Sequence, residues 1–402
     1  MRYKDKDYFV HPEADNMFEK NRRDFSRKEI HIIDFIKNNA LDCEYTGLLR
    51  ELKIKYRNDR SLIKNTQKYI EECINNKILI DIDRIGVHSM DLSITNTCNA
   101  ACVYCPSPRI RNKEQFMSPE DIEKIINDLL APEFIKNFGR LKTIEIGGLS
   151  EPLLNPELII ILQKIRDKYP AELVLYTNGL LLDEELSLKL LQDELIDTVV
   201  ISIDGIGQKD HFASKKIDYG TVENNLLDFI ALRDNYKSKC RIVIQVMSYK
   251  KYCSVIRDIL GRNPINAPVT DKTIEDNTEL IIKKWQKHLS YDDKIWDAAD
   301  TFQLRGEYKK ERDNYPVEEE YLRCPWLNYV IHAINITSNG DWIICCNDFF
   351  KEGVLGNIHN NSLYDIAATD RKDFVRALIN NNSANLPLRC KLKKYCQYLR
   401  SN

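Results

Sequence analysis

The chain has 402 residues, 43% of them apolar and 30% charged, with a formal net charge of -2. That length suits two or three domains with sizeable cores, and the composition excludes a disordered polyelectrolyte. Without a basic excess, nucleic acid is not an expected partner.

The opening residues, Met1-Arg2-Tyr3-Lys4-Asp5-Lys6, carry no secretory pattern, and no apolar run reaches membrane-spanning length. No membrane partner is expected. Twelve cysteines without a signal point to metal in a reducing cytoplasm rather than to a disulfide framework.

Up to about Arg84 the chain carries no clustered cysteines. Tyr8-Phe9-Val10 and Met17-Phe18 are short strand candidates. Apolar spacing then predicts helices over 28–38 (Ile30, Ile33, Ile36), 45–54 (Leu48, Leu49, Leu52) and 61–76 (Leu62, Ile63, Tyr69, Ile70, Cys73, Ile74). A strand is predicted at Ile78-Leu79-Ile80. Three helices and an extended piece make a winged-helix-like unit, which would suit a packing extension or a DNA-binding module as well as a peptide-binding one. From Ser26 to Ile80 the Leu and Ile pattern resembles the RiPP recognition element, the peptide-chaperone domain that serves ribosomally made, modified peptides. That resemblance implies that a precursor's leader peptide adds as a strand to a small sheet beside the third helix.

Met90-Asp91-Leu92-Ser93-Ile94 alternates and reads as a strand. It runs into Cys98-Asn99-Ala100-Ala101-Cys102-Val103-Tyr104-Cys105, where three thiols lie within eight residues. So short a loop can turn three sulfurs toward one point, which suits an iron–sulfur cluster with one iron left to another ligand. Structural zinc needs a fourth ligand, and the next hundred residues hold no further His or Cys. Ser118-Pro119-Glu120-Asp121 then writes a helix start. Helices at 119–130, 156–168, 183–192 and 221–234 alternate with strands at Leu141 to Ile146, Leu173 to Thr177, Thr198 to Ile203 and Arg241 to Val246. A helix at 276–289 precedes a sixth strand, Lys294 to Ala298. Such alternation predicts a parallel sheet, with chemistry where the strands end. Three strand ends carry suitable residues: Gly147-Gly148-Leu149-Ser150-Glu151-Pro152, Thr177-Asn178-Gly179 and Ser202-Ile203-Asp204-Gly205.

These motifs, in this order, resemble the radical S-adenosylmethionine (radical SAM) superfamily, with Tyr104 as the aromatic residue before the third cysteine. The resemblance implies a partial (β/α)6 TIM-like barrel and a 4Fe–4S cluster on Cys98, Cys102 and Cys105. The free iron would chelate S-adenosylmethionine. It further implies that Gly147, Gly148 and Glu151 meet the cofactor's methionine, and that Asn178, Ser202 and Asp204 meet its ribose or carboxylate or cap the following helices. His211-Phe212-Ala213-Ser214-Lys215-Lys216 offers lysines where relatives often carry an arginine, so no carboxylate clamp is assigned. Cys43, Cys73, Cys240 and Cys253 read as core residues.

Past Tyr321 come Cys324, Cys345, Cys346, Cys390 and Cys396. Ala333 to Ile344 reads as a hairpin about Ser338-Asn339-Gly340-Asp341, which returns Cys345 toward Cys324. A helix is predicted near 362–380. Cys-Pro-Trp, Cys-Cys-Asn-Asp and Gly-Asn-Ile resemble the SPASM/twitch extension of radical SAM enzymes. Five cysteines fit one auxiliary iron–sulfur cluster, and the resemblance implies Cys324, Cys345, Cys390 and Cys396 as its ligands. Hairpin alternation leaves Cys346 open as a substitute for Cys345, and four cysteines would also make a zinc cage.

The expected organisation is an N-terminal winged-helix-like domain over 1–84, a catalytic barrel over 85–305 and an auxiliary-cluster region over 306–402. The resemblances imply a radical SAM peptide maturase that forms a thioether or carbon–carbon crosslink or epimerises a residue. A precursor peptide and a reducing donor such as flavodoxin or ferredoxin would be its partners. The alternatives are a dehydrogenase or rearranging enzyme for a sugar or alcohol, and a cluster-bearing sensor.

Overall fold

The structure, a computed structural model, describes residues 2–3, 6–10, 33, 35, 36, 52, 65–75, 79–81, 85–105, 113–148, 150–247, 278–297, 324, 326–379, 382–387 and 390. Met17-Phe18, Cys43, Leu149, Cys253, Cys396 and most of the first two predicted helices lie outside the described residues.

Near the N-terminus, β1 (Arg2–Tyr3), β2 (Lys6–Val10) and β3 (Leu79–Asp81) form an antiparallel sheet in the order β1-β2-β3. The Tyr8-Phe9-Val10 segment lies within β2, with Val10 opposite Leu79 and Tyr8 opposite Asp81. Helix α1 (Thr66–Asn75) lies against β3. It buries Tyr69, Ile70 and Cys73 at spacings that share one helical face.

Six parallel strands make the central sheet: β4 (Ser89–Leu92), β5 (Thr143–Ile146), β6 (Glu172–Thr177), β7 (Thr198–Ser202), β8 (Arg241–Val246) and β9 (Lys294–Asp297). Between them run α2 (Pro119–Leu130), α3 (Pro132–Phe138), α4 (Leu158–Lys168), α5 (Glu184–Gln192), α6 (Gln208–Lys215), α7 (Tyr219–Tyr236) and α8 (Thr278–Trp285). The sheet does not close, which makes it the partial TIM-like barrel. On β4 and β5, Met90, Leu92, Ile144 and Ile146 are buried in the main core. Alternation turns Asp91 and Glu145 to the other face.

The start of α2 shows local sequence at work. Ser118 accepts from the Asp121 amide while the Asp121 carboxylate accepts from the Ser118 amide, and Pro119 occupies the first turn. Ile122, Ile125, Ile126 and Leu129 then bury one stripe. Helices α3 and α6 were not expected from periodicity. Both are short, and α6 is mostly polar.

The C-terminal part continues the same sheet. After α9 (Leu327–His332), β10 (Ala333–Ile336) pairs in parallel with β4, and β11 (Asp341–Ile343) and β12 (Val354–Asn357) add antiparallel. The expected hairpin is present, turning through Gly340 at φ +82. The single helix expected near 362–380 is instead two, α10 (Leu363–Ala368) and α11 (Asp370–Ile379). Thr369 breaks it: its hydroxyl donates back to the Asp365 carbonyl, and its backbone leaves the helical region at φ -117, ψ -91. No helix among the described residues is long and apolar enough to cross a membrane.

Candidate active site

The strand ends surround a cavity of about 370 Å³. Cys98, Cys102, Tyr104, Cys105, Gly147, Gly148, Glu151, Asn178, Ser202 and Asp204 all line it. The residues singled out from three separate strand ends and one loop therefore face a common space.

The thiol loop is held from behind by α6. The Ala101 amide donates to the Lys215 carbonyl at 3.1 Å and the Val103 amide to the Ser214 carbonyl at 2.9 Å. Tyr104 donates its hydroxyl to Asp204 at 2.8 Å, and Ser214 donates to the same Asp204 oxygen at 2.6 Å. Asp204 thus anchors the loop from the end of β7. The Ala100 amide donates to Cys98 Sγ at 3.4 Å, a contact that favours thiolate character. Burial pushes the Cys102 thiol up to about 12. Among the described residues no three His, Cys, Asp or Glu side chains converge tightly enough to hold a bare metal ion. The three thiols nonetheless face one cavity from one short loop. This donor set fits a thiolate-ligated cluster that leaves one iron facing the cavity.

Glu151 is buried and accepts three hydrogen bonds. It is 2% exposed. It accepts from Thr177 Oγ1 at 2.7 Å, the Asn178 amide at 2.8 Å and the Leu153 amide at 3.3 Å. Burial nevertheless pushes its carboxyl up to about 7. Asn178 Nδ2 donates to Asn99 Oδ1 at 2.7 Å, so the end of β6 reaches the thiol loop. Gly148 sits at φ +69, where a Cβ would collide with Ser93 Oγ and stand 2.8 Å from Asp91 Oδ1. Only glycine fits there without displacement. Ser202 donates to Gln245 Oε1 at 3.1 Å across β7 and β8.

Lys215 was passed over in the sequence, yet it is 3% exposed and lines the cavity. Burial works against its ammonium, but Asp204, Cys102, Cys98 and Glu151 together hold it above the ordinary lysine range. A buried ammonium beside the thiol loop suits a ligand carboxylate. Asp91, Glu145, Tyr176, Trp296, Trp326 and Tyr329 also line the cavity and were likewise missed. An acid between apolar neighbours, as in Met90-Asp91-Leu92 and Ile144-Glu145-Ile146, was the available signal.

The C-terminal cysteines divide. Cys324, Cys345 and Cys390 pack against one apolar cluster that includes Leu327, Ile331, Ile344 and Phe374. Cys346 instead lines the catalytic cavity from the turn that follows β11. Trp326 and Tyr329 touch both places, lining the cavity and packing against that cluster. Cys73 and Cys240 are buried, in keeping with core roles.

Comparison with known proteins adds sequence evidence. Residues 92–245 match the radical SAM superfamily, and residues 324–397 match the SPASM iron–sulfur cluster-binding domain. A probable GTP 3',8-cyclase of Methanocaldococcus jannaschii is 36% identical over 230 residues, covering 51% of this chain and 73% of its own. A second, from Methanococcus maripaludis, is 32% identical over 191 residues, covering 44% of this chain but only 59% of its own. Among solved structures, BtrN in complex with AdoMet and 2-DOIA gives a TM-score of 0.46 at 18% identity, over 78% of this chain and 94% of that one. Streptococcus suis SuiB bound to precursor peptide SuiA gives 0.47 at 13% identity, over 86% and 82%. Likenesses that faint bear on neither substrate nor mechanism.

Proposed function

This chain belongs to the radical SAM superfamily, and we propose that within it the protein modifies a ribosomally made precursor peptide. It is an enzyme that uses S-adenosylmethionine and iron–sulfur clusters. Bound at the thiol loop, the 4Fe–4S cluster supplies the electron that cleaves the cofactor's sulfonium and so provides a hydrogen-abstracting 5′-deoxyadenosyl radical. Cys98, Cys102 and Cys105 would hold that cluster. Glu151 would accept from the methionine ammonium, and Lys215 would face its carboxylate. Gly147 and Gly148 let the backbone come close, and Asn178 and Ser202 offer polar atoms to the ribose. Asp204 and Tyr104 act behind them by fixing the loop to α6. Cys324, Cys345, Cys390 and Cys396 would hold one auxiliary cluster, leaving Cys346 to the substrate side.

The observation that carries the peptide reading is the N-terminal sheet. Among the described residues β3 is an end strand, and α1 lies beside it. An extended leader can add to such an edge through backbone hydrogen bonds, with the helix supplying side-chain pockets. Tethering the leader raises the concentration of the core peptide at the barrel mouth. The products this allows are a thioether or carbon–carbon crosslink, or an epimerised residue. A flavodoxin- or ferredoxin-type donor would supply electrons.

The curated relatives favour a second reading, a small-molecule reaction such as cyclisation of a nucleotide. The cavity argues against a triphosphate. Lys215 is the one cationic side chain among its described lining, against the carboxylates Asp91, Glu145, Glu151 and Asp204.

Removing residues 1–84 tests the peptide reading. A folded truncation, checked by circular dichroism, should keep both clusters and slow uncoupled cofactor cleavage. Precursor modification should fall at least ten-fold, and adding the N-terminal module separately should partly restore it. A folded truncation that modifies precursor as fast as the whole chain contradicts the reading.

A further inference from the structure

We propose that the part of the cavity lined by Glu145 and Asp91 takes a cationic side chain of the substrate, a lysine ammonium or arginine guanidinium, beside the rings of Tyr176, Trp326 and Tyr329. This rests on the peptide reading and names the residue class presented to the site.

Asp91 and Glu145 stand opposite each other in the β4–β5 register. Both line the cavity rather than the apolar core that takes their strand neighbours. Glu145 feels three influences. Burial opposes its charge, a hydrogen bond from Tyr176 favours it, and the Glu172 carboxylate opposes it. No cation of the described chain acts on it. Burial and the Glu172 carboxylate both oppose the Glu145 charge, so a cationic partner entering the cavity would stabilise it. A metal ion is a poor candidate, because among the described residues no third His, Cys, Asp or Glu completes a site.

The neighbours favour an organic cation. Tyr176, Trp326 and Tyr329 line the same space, and Asp91, Glu145 and Cys346 act electrostatically on both tyrosines. Aromatic rings with carboxylates attract ammonium and guanidinium groups through ring faces and charge together. Lys215 supplies an independent sign that the cavity holds a charged ligand. Its ammonium is buried, reaches the cavity, and forms no hydrogen bond or ion pair with any described residue. Its electrostatic neighbours are Asp204, Cys102, Cys98 and Glu151, a set that does not overlap that of Glu145. At the thiol loop the Lys215 cation sits among Asp204 and Glu151, whereas no described cation acts on Glu145.

The test is calorimetric titration of the cofactor-loaded full chain with n-butylammonium, n-butylguanidinium and n-butanol, in buffers matched for chloride. At least one cation should bind ten-fold or more tightly than the alcohol. Glu145→Gln should weaken that cation at least ten-fold and leave n-butanol unchanged, while Glu133→Gln on the surface of α3 should change neither. Equal binding of cations and alcohol by the unsubstituted enzyme overturns the proposal, whatever the variant does. So does a folded Glu145→Gln protein with unchanged cation affinity. Failure of the leader-domain test alongside cation selectivity here would remove the peptide but leave a site for an amine-bearing small molecule.

Discussion

Glu151 shows how one buried side chain serves two states of the site. Its three protein donors position the carboxylate, but they do not offset its desolvation, and burial leaves the carboxyl near 7 against 4.5 in the open chain. A carboxyl raised in the folded state contributes stability below about pH 4.5 that is lost as pH climbs through about 7. For the cofactor-free protein this amounts to about 3 kcal/mol at most. Urea unfolding of that protein should therefore show stability falling from pH 5 to pH 8, and Glu151→Gln should flatten the slope. Binding of S-adenosylmethionine should behave oppositely, tightening as pH rises through 7, because its ammonium needs the ionised form. Gly148→Ala should cost about 1–3 kcal/mol in the same assay, since φ +69 and contact with Ser93 both resist a side chain. Replacing Cys98, Cys102 and Cys105 together by Ala should abolish 5′-deoxyadenosine formation while iron and sulfide remain on the C-terminal cysteines. Zinc alone there, by metal analysis, would contradict the auxiliary-cluster assignment.

At the scale of elements, the readable parts were those written locally. The Ser118-Pro119-Glu120-Asp121 start places α2 within its expected bounds, and Ser118→Ala should lower stability by about 1 kcal/mol in a urea titration by loss of the reciprocal cap. Strand β8 begins and ends where its apolar run does, from Arg241 to Val246. Thr369 was harder to read, because its back-bond to Asp365 competes with the helix only once α10 is in place. The thiol loop could be read because three ligands within eight residues need no tertiary structure to meet. Asp91, Glu145 and Lys215 were harder to place, because each resembles an ordinary surface charge until strand register and the packing of α6 turn it inward. Cys345 and Cys346 differ by one residue, and only the folded turn after β11 shows Cys345 against the apolar cluster and Cys346 at the cavity.

For the whole molecule, the sheet is shared between the barrel and the C-terminal region. Strand β10 lies beside β4, in parallel, and β11, which leads to Cys345 and Cys346, pairs with β10 one strand away from β4. Arg371 reinforces this junction from α11. It is 4% exposed and donates to the carbonyls of Ile85 and Ile331, ahead of β4 and in α9. Arg371→Met would leave both carbonyls without that donor and should destabilise the protein by about 2–4 kcal/mol, with a lower urea midpoint and reduced iron content. The proposed peptide substrate is the central claim to test. The most direct measurement is 5′-deoxyadenosine release by the anaerobically reconstituted enzyme, with a short peptide encoded beside its gene or with GTP. The account predicts release stimulated by the peptide, with a matching mass change in it, and no response to GTP. Release driven by consumption of GTP, with the peptide inert, would contradict it.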